Sequence, residues 1–141
     1  MVFDSGSPQD DHALARLGRD RIAWLTSVAA DGQPQTFPVW FLWEAGEVLV
    51  YSSKRARRNA NVAINPRVSI HLEGDSDGGD LVILEGTARI DDATPPADRN
   101  AAYMAKYGEW MVRDLGSVDA FLAEYTVPIR VTPSRGRATG A

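Results

Sequence analysis

Short segments rich in β-branched and aromatic residues, each bounded by a turn signal, constrain the fold of this chain most. Six are predicted as strands, over residues 21–29, 35–43, 48–52, 67–73, 81–90 and 124–131. The first two flank Asp31-Gly32, a dipeptide typical of a hairpin turn because glycine adopts a positive φ without steric cost. Six short strands with few helices predict a mainly β fold, a closed or nearly closed antiparallel barrel, since closure removes exposed sheet edges.

The length of 141 residues suits a single domain with one modest core. Residues 1–9 are predicted as a flexible N-terminus, residues 10–133 as the barrel domain, and residues 134–141 as a polar C-terminal tail. Helices are predicted at about residues 10–19, 54–64 and 97–123, the last one broken near Gly108 and Gly116. Gly86 lies inside the fifth predicted strand and indicates a bulge or a close approach of two backbones.

Charge and residue usage argue against several classes of function. The net charge of −4 gives no general attraction to nucleic acid or to anionic lipid. The chain has no cysteine and two histidines, so a thiolate or multi-histidine metal site is not expected. No apolar run approaches the ~18 residues that span a bilayer, and the start lacks a secretory signal pattern. We therefore expect a cytoplasmic protein with no metal, nucleic-acid or membrane partner.

The segment from Ser52 to Asn61 carries the sharpest functional signal. Two hydroxyls end a predicted strand, and four cations follow within five residues: Lys54, Arg55, Arg57 and Arg58. A helix is predicted to begin here, opened by Ser52 or Ser53. The free N–H groups and partial positive charge of its N-terminus would complete an anion site, most often for phosphate. Arg58 and Asn61 are three residues apart and share a helix face. The alternative is a solvated basic helix start in which Ser53 is a plain cap.

Two aromatic segments could face a ligand or fill a core. Pro38 cannot donate to a strand ladder, so it marks an edge, a bulge or a strand start, and a bulge would free backbone groups to meet a planar ring. Alternatively, Trp40, Phe41 and Trp43 pack in the core or at a dimer contact, because a chain this small exposes them unless something covers them. In the third predicted helix, one face carries Tyr103, Lys106, Tyr107 and Trp110, which could simply pack on the barrel.

In order and spacing, these segments resemble the pyridoxamine 5′-phosphate oxidase-like superfamily of split-barrel flavoproteins. Within it the chain is similar to a branch of probable coenzyme F420-dependent enzymes, the actinobacterial deazaflavin-dependent oxidoreductases of class B. The resemblance runs from about residue 12 to residue 135. Its matching pieces include Pro38-Val39-Trp40-Phe41, Arg58-x-x-Asn61-Val62, Tyr103-x-x-Lys106-Tyr107 and Tyr125-x-Val127-Pro128.

The resemblance implies a six-stranded antiparallel split barrel that forms a homodimer with a cofactor at the interface. It places an anionic tail on the Ser52–Asn61 segment, at Ser52, Ser53, Lys54, Arg55, Arg58 and Asn61. It places the tricyclic ring near residues 36–41, at Thr36, Pro38, Val39, Trp40 and Phe41. This branch often has lysine at position 58, where arginine keeps the charge and adds the possibility of bidentate phosphate contact.

The function that the resemblance implies is an F420-dependent reductase, which transfers a hydride between the reduced deazaflavin and a small conjugated organic acceptor. Tyr51, Lys106 and Tyr107 are possible proton donors. The residues alone do not separate a deazaflavin from FMN, because both carry phosphate on a ribityl chain. Two alternatives stay open: an FMN-dependent oxidase or reductase, and a non-catalytic protein that binds or stores such a cofactor or haem.

Overall fold

The computed structural model of the chain describes residues 2–140, so Met1 and Ala141 of the predicted terminal segments lie outside it. The helices are α1 (Pro8–Arg19), α2 (Arg57–Ile64), α3 (Ala101–Leu115) and α4 (Val118–Glu124). The strands are β1 (Ala23–Val28), β2 (Pro34–Val39), β3 (Leu42–Glu44), β4 (Glu47–Ser52), β5 (Arg67–Leu72), β6 (Val82–Ile90) and β7 (Val127–Ala138). A short 3₁₀ turn, Ala97–Arg99, precedes α3.

All seven strands join one antiparallel sheet in the order β2-β1-β5-β6-β7-β4-β3. The two edge strands, β2 and β3, follow each other in sequence with only Trp40 and Phe41 between them. Two residues span only a few ångströms, so the two edges approach each other at this corner and the sheet must curl. The mainly β, barrel-like class predicted from the sequence is confirmed, as a half-barrel with flanking helices.

The predicted strand over residues 35–43 is wrong in one respect, since it divides into β2 and β3 and raises the strand number from six to seven. The chain turns at Trp40-Phe41, where Phe41 is fully buried and its backbone bonds to Tyr107 instead of to a neighbouring strand. Of the three predicted placements of Pro38, an edge, a bulge or a strand start, the structure shows the edge, because β2 pairs only with β1 among the described strands and the register of this pair has no shift.

The chain ends are more ordered than the sequence predicts. Residues 134–138 continue β7 and pair with β6 as far as Val82↔Ala138, where a polar tail is predicted. Near the other end, Phe3 is only 2% exposed and packs on β7, where a Cβ at Gly136 would lie 2.9 Å from its ring. Helix α1 begins at Pro8, capped by the hydroxyl of Ser7. Apolar anchoring and strand pairing therefore extend the fold into both segments.

The structural roles predicted for two glycines are confirmed. Gly32 has a φ of 89° in the hairpin that joins β1 to β2. Gly86 sits at a register shift between β6 and β7, and a Cβ there would overlap the carbonyl oxygen of Thr132. Both positions need the absence of a side chain, the first for its backbone angle and the second for the close approach.

Strand β4 is buried on both faces and separates two apolar clusters. Val48 and Val50 belong to the larger cluster with Leu25, Ile70 and Leu84 from the rest of the sheet. Leu49 and Tyr51 point to the opposite face, as the two-residue period of a strand requires, and pack against α3 and α4. The smaller cluster is mostly aromatic and contains Tyr103, Tyr107 and Phe121. Within residues 2–140, every helix is too short or too polar to cross a membrane.

Candidate functional site

A cleft with a volume of about 890 Å³ lies along the edge strand β2. One part of its lining is apolar and includes Phe37, Trp40, Leu115, Phe121 and Tyr125. Another part is basic and comes from the turn after β4 and the start of α2: Ser53, Arg55, Arg57 and Arg58. The fold thus brings the two segments singled out in the sequence, residues 36–41 and 52–61, to one cavity.

The helix that follows β4 begins later than predicted. Ser52 is the last residue of β4, where it pairs with Val127. The amide of Ala56 then donates to the carbonyl of Ser53 at 3.0 Å, which closes a turn before α2 starts at Arg57. Ala56 is the N-cap and gives no side-chain cap. The prediction that Ser52 or Ser53 opens the helix is therefore wrong, and Arg58 is the second helical residue.

Arg58 is a half-buried cation whose hydrogen-bonding capacity is largely free. Its Nε donates to the Oγ of the fully buried Ser52 at 2.9 Å. Across residues 2–140, no carboxylate pairs with its guanidinium and its two terminal nitrogens make no hydrogen bond. Burial lowers the pKa of Arg58. A desolvated cation with unused donors in a cleft favours the binding of an anion there.

Arg55 differs from Arg58 because it already has an anionic partner. Its Nη2 lies 2.6 Å from Oε1 of Glu124, and its Nε donates to Oε2 at 3.2 Å. The hydroxyl of Ser53 donates to the same Oε2. These bonds from Ser53 and Arg55 lower the pKa of Glu124. A carboxylate of the chain therefore occupies two of the groups that the sequence assigns to phosphate.

Asn61 does not line the cleft but lies behind it. This buried side chain donates to Ser27 Oγ at 3.0 Å and to Gln35 Oε1 at 2.9 Å. Gln35 belongs to β2 and lines the cavity. Asn61 therefore ties α2 to β1 and β2, which fixes the basic segment relative to the edge strand. Lys54 is exposed and is also absent from the lining.

In the predicted ring segment, Thr36, Pro38, Val39 and Trp40 line the cleft, whereas Phe41 is fully buried and does not. Trp40 stacks on Tyr107 with ring centroids 4.7 Å apart and on Phe121 at 5.7 Å. Trp43 packs against the larger core cluster. Phe41 is fully buried within the chain, whereas Trp40 and Trp43 are only partly buried, so the chain itself covers much of this aromatic surface. As an edge strand, β2 keeps one row of backbone polar groups available.

Residues 9–139 match the family model described as pyridoxamine 5′-phosphate oxidase. The chain belongs to this family. Pyridoxamine 5′-phosphate oxidase-like proteins bind flavin-type cofactors. The cleft beside β2 fits such a group. Its apolar wall can contact a ring, and the unused donors of Arg58 can bind a phosphate.

Solved structures share the fold of this family member. A conserved hypothetical protein from Mycobacterium tuberculosis matches with a TM-score of 0.71 and 19% identity, over 99% of this chain and 89% of that chain. A protein named F420 reductase matches with a TM-score of 0.63 and 20% identity, over 87% and 94%. A haem storage protein from Vibrio cholerae matches with a TM-score of 0.62 and 18% identity, over 92% and 91%.

The three predicted proton donors are not brought together at the cleft of this pyridoxamine 5′-phosphate oxidase-like chain. Tyr51 borders the cleft, but its hydroxyl donates to the carbonyl of Pro95 at 2.7 Å, and burial raises its pKa. Tyr107 is fully buried; its hydroxyl accepts from the amide of Phe41 at 2.9 Å, and burial raises its pKa. Lys106 donates to the carbonyl of Phe41 at 2.9 Å, and burial lowers its pKa to about 8.

Sequence reasoning missed several residues of the cleft. Phe37, Leu115, Phe121, Glu124 and Tyr125 all line it. Of these, only two carry a sequence signal: Phe37 lies inside the ring segment of residues 36–41, and Tyr125 begins a matched segment near the C-terminus. Leu115, Phe121 and Glu124 come from α3 and α4, and nothing in their local pattern indicates that these helices meet β2. No cluster of metal-ligating side chains occurs among the described residues.

Proposed function

We propose that the chain is a coenzyme F420-dependent oxidoreductase of the class B branch, which transfers a hydride between the reduced deazaflavin and a small conjugated organic acceptor. The proposal rests on a half-buried Arg58 with unused donors and an apolar cleft wall in one cavity. A phosphate-bearing tricyclic cofactor needs both features.

In this proposal the residues of the chain bind, orient and exclude water. Arg58 binds the phosphate, with the exposed Lys54 in the same basic segment, whereas Ser53 and Arg55 border the site but are bonded to Glu124. Ser52 and Asn61 hold Arg58 and β2 in place. Thr36, Pro38, Val39 and Trp40 flank the ring, and the buried Phe41 supports them from behind. The bound deazaflavin supplies the hydride, so no side chain has to act as an obligatory acid or base. Tyr51 remains the one predicted donor that borders the cleft.

The apolar wall supports a conjugated acceptor. Phe37, Leu115 and Tyr125 leave aromatic and aliphatic surface beside the ring segment, and Tyr125 stacks on Phe121 at 4.6 Å. A planar apolar molecule can displace water from such a wall without leaving buried polar groups unpaired. We also propose a homodimer, because Phe37 and Leu115 are 60% and 38% exposed at this cleft and a second subunit could cover them. We also propose a cytoplasmic location.

Two alternatives each have an observation in their favour. An FMN-dependent flavoprotein is favoured by the fork of Arg58, because its two unbonded terminal nitrogens can bind two oxygens of a terminal phosphate. A non-catalytic cofactor-binding protein is favoured by the three predicted donors, since the hydroxyls of Tyr51 and Tyr107 both donate to backbone carbonyls and Lys106 does not line the cleft.

The test is a fluorescence titration of purified protein with the deazaflavin and with FMN, followed by a screen of acceptors with the pre-reduced deazaflavin. We expect deazaflavin to bind at least ~10-fold more tightly than FMN, and at least one conjugated acceptor to be reduced at a rate that depends on the protein. Tighter binding of FMN would favour the first alternative. Tight deazaflavin binding without reduction of any acceptor would favour the second.

A further inference from the structure

We propose that Glu124 is a specificity-determining residue, whose carboxylate penalises a bound phosphate in proportion to the charge of that phosphate. It would shift the preference of the cleft from a phosphomonoester, such as the end of FMN, towards a phosphodiester. The inference rests on the proposed function in that it takes the basic part of the cleft as the phosphate site.

Glu124 is held in the basic segment by its backbone and by its side chain. As the last residue of α4, it accepts a bond from the amide of Lys54 to its carbonyl oxygen at 2.9 Å. Its carboxylate accepts from Ser53 and forms an ion pair with Arg55 at 2.6 Å. The backbone bond fixes the end of α4 against the turn after β4, so the carboxylate cannot move far without losing both contacts.

The carboxylate and the free cation face the same cavity. Glu124, Ser53, Arg55 and Arg58 all line the cleft. Ser53 and Arg55 are the groups that a phosphate would use if Glu124 were absent, so the chain supplies its own anion there. A phosphate bound through Arg58 shares this cleft with a fixed negative charge, which repels each unit of the phosphate's own negative charge.

The repulsion differs between the two classes of phosphate. A phosphomonoester carries a charge of about −2 at pH 8, because its second pKa is about 6. A phosphodiester keeps about one negative charge at every pH above its single low pKa. Coulomb energy is proportional to charge, so the penalty from Glu124 is about twice as large for the monoester. Nothing about the ring segment enters this difference.

A series of ligands with one ring and three charges tests the proposal: riboflavin (0), riboflavin 4′,5′-cyclic phosphate (about −1) and FMN (about −2). With Glu124→Gln at pH 8, we expect riboflavin affinity to be unchanged, the cyclic phosphodiester to bind ~2- to 5-fold more tightly, and FMN ~4- to 25-fold more tightly. The matched control is Glu109→Gln, which removes the same charge from an exposed site on α3 with no ion pair or hydrogen bond among the described residues. It should change none of the three.

Inorganic phosphate gives a readout that does not depend on the flavin. Its binding is followed through the Nε–H resonances of arginine, and it should be tighter in Glu124→Gln than in the wild type. Equal or weaker binding of phosphate and FMN to the variant would overturn the inference, because Glu124 would then be positioning Arg55 and Ser53 for the ligand. If phosphate binds more tightly to the variant but neither protein binds any flavin or deazaflavin, the inference stands and the proposed function fails.

The variant is expected to fold. The Arg55 side chain is 78% exposed and that of Glu124 is 24% exposed, and an ion pair of this kind contributes little to stability. Glutamine keeps the size of the side chain and an oxygen that accepts from Ser53. One melting curve for each protein confirms that affinities are compared between folded chains.

Discussion

Lys54 and Lys106 are the two lysines of the chain, and burial gives them different chemistry. Lys54 is exposed, whereas Lys106 lies 3.9 Å from the ring centroid of Phe41, and burial lowers its pKa to about 8. In the unfolded chain a lysine titrates near ~10.4. Between these two values the unfolded chain binds more protons than the folded chain, so the free energy of unfolding rises with pH in that window.

We predict that Lys106→Met removes most of this rise. Urea unfolding at pH 7.5, 8.5 and 9.5 should show a smaller increase in the free energy of unfolding for the variant than for the wild type. Lys54→Met is the control and should keep the wild-type slope. If Lys106→Met keeps it as well, Lys106 is charged in the folded protein throughout this range.

Tyr107 belongs to a segment that matches the family, and its hydroxyl has a structural role in the fold. Its hydroxyl accepts from the amide of Phe41 and lies 2.7 Å from the carbonyl of Arg21 and 2.9 Å from that of Phe41. These contacts hold the Trp40-Phe41 corner between β2 and β3. Tyr107→Phe leaves the buried amide of Phe41 without a partner, so we predict a loss of ~1–3 kcal/mol in the free energy of unfolding. Denaturant unfolding measures it, and a change below about 0.5 kcal/mol would contradict this role.

At the scale of elements, the glycines at positions 86 and 18 are predicted to respond in opposite ways to alanine. Gly86→Ala places a methyl group against the carbonyl of Thr132 and should destabilise the β6–β7 pair by ~1–3 kcal/mol. Gly18 lies in the exposed last turn of α1, where an added methyl group would meet open space, so Gly18→Ala should stabilise by ~0.5–1 kcal/mol. Thermal unfolding of the two variants tests both expectations. An unchanged melting temperature for Gly86→Ala would contradict the first, because the bulge would then accommodate the methyl group.

Local chemistry explains which elements the sequence predicts well. Asp31-Gly32 acts through a positive backbone angle and Gly86 through the absence of a side chain, and both are properties of the residue itself. The start of α2 and the division at Trp40-Phe41 depend on distant groups instead. Glu124 binds the turn before α2 from 71 residues away, and Tyr107 bonds Phe41 from 66 residues away. No local pattern contains those partners, so the sequence predicts these boundaries wrongly.

At the scale of the whole molecule, topology sets which residues share the cleft. Strand β4 pairs with β7 near the C-terminal end of the chain, and this pairing brings Tyr125 and Glu124 beside the basic segment. Periodicity indicates that these elements exist but not which ones are neighbours. The family resemblance points to residues 36–41 and 52–61 of the candidate site, and the distant residues that complete the cleft are found only in the fold.

The assembly state is a further prediction at this scale. Phe37 is 60% exposed on the edge strand, beside the guanidinium of Arg58 at 5.4 Å from its ring. An apolar side chain at a cleft and at an unpaired sheet edge is typical of a subunit contact. We predict a twofold dimer at micromolar concentration by light scattering, and a shift towards monomer for Phe37→Asp. A wild-type monomer under these conditions would contradict the prediction.

We propose that Arg58 binds the phosphate of a flavin-type cofactor, and a thermodynamic cycle with one protein variant and one change of ligand tests this most directly. Wild type and Arg58→Ala are each titrated with FMN and with riboflavin, which differ only in the phosphate. A charge-assisted contact of ~1.5–3 kcal/mol predicts that Arg58→Ala weakens FMN binding ~10- to 150-fold. Riboflavin binding should stay within a factor of about three of the wild type, a change below ~0.7 kcal/mol. Equal losses for the two ligands, or no loss for either, would contradict the claim.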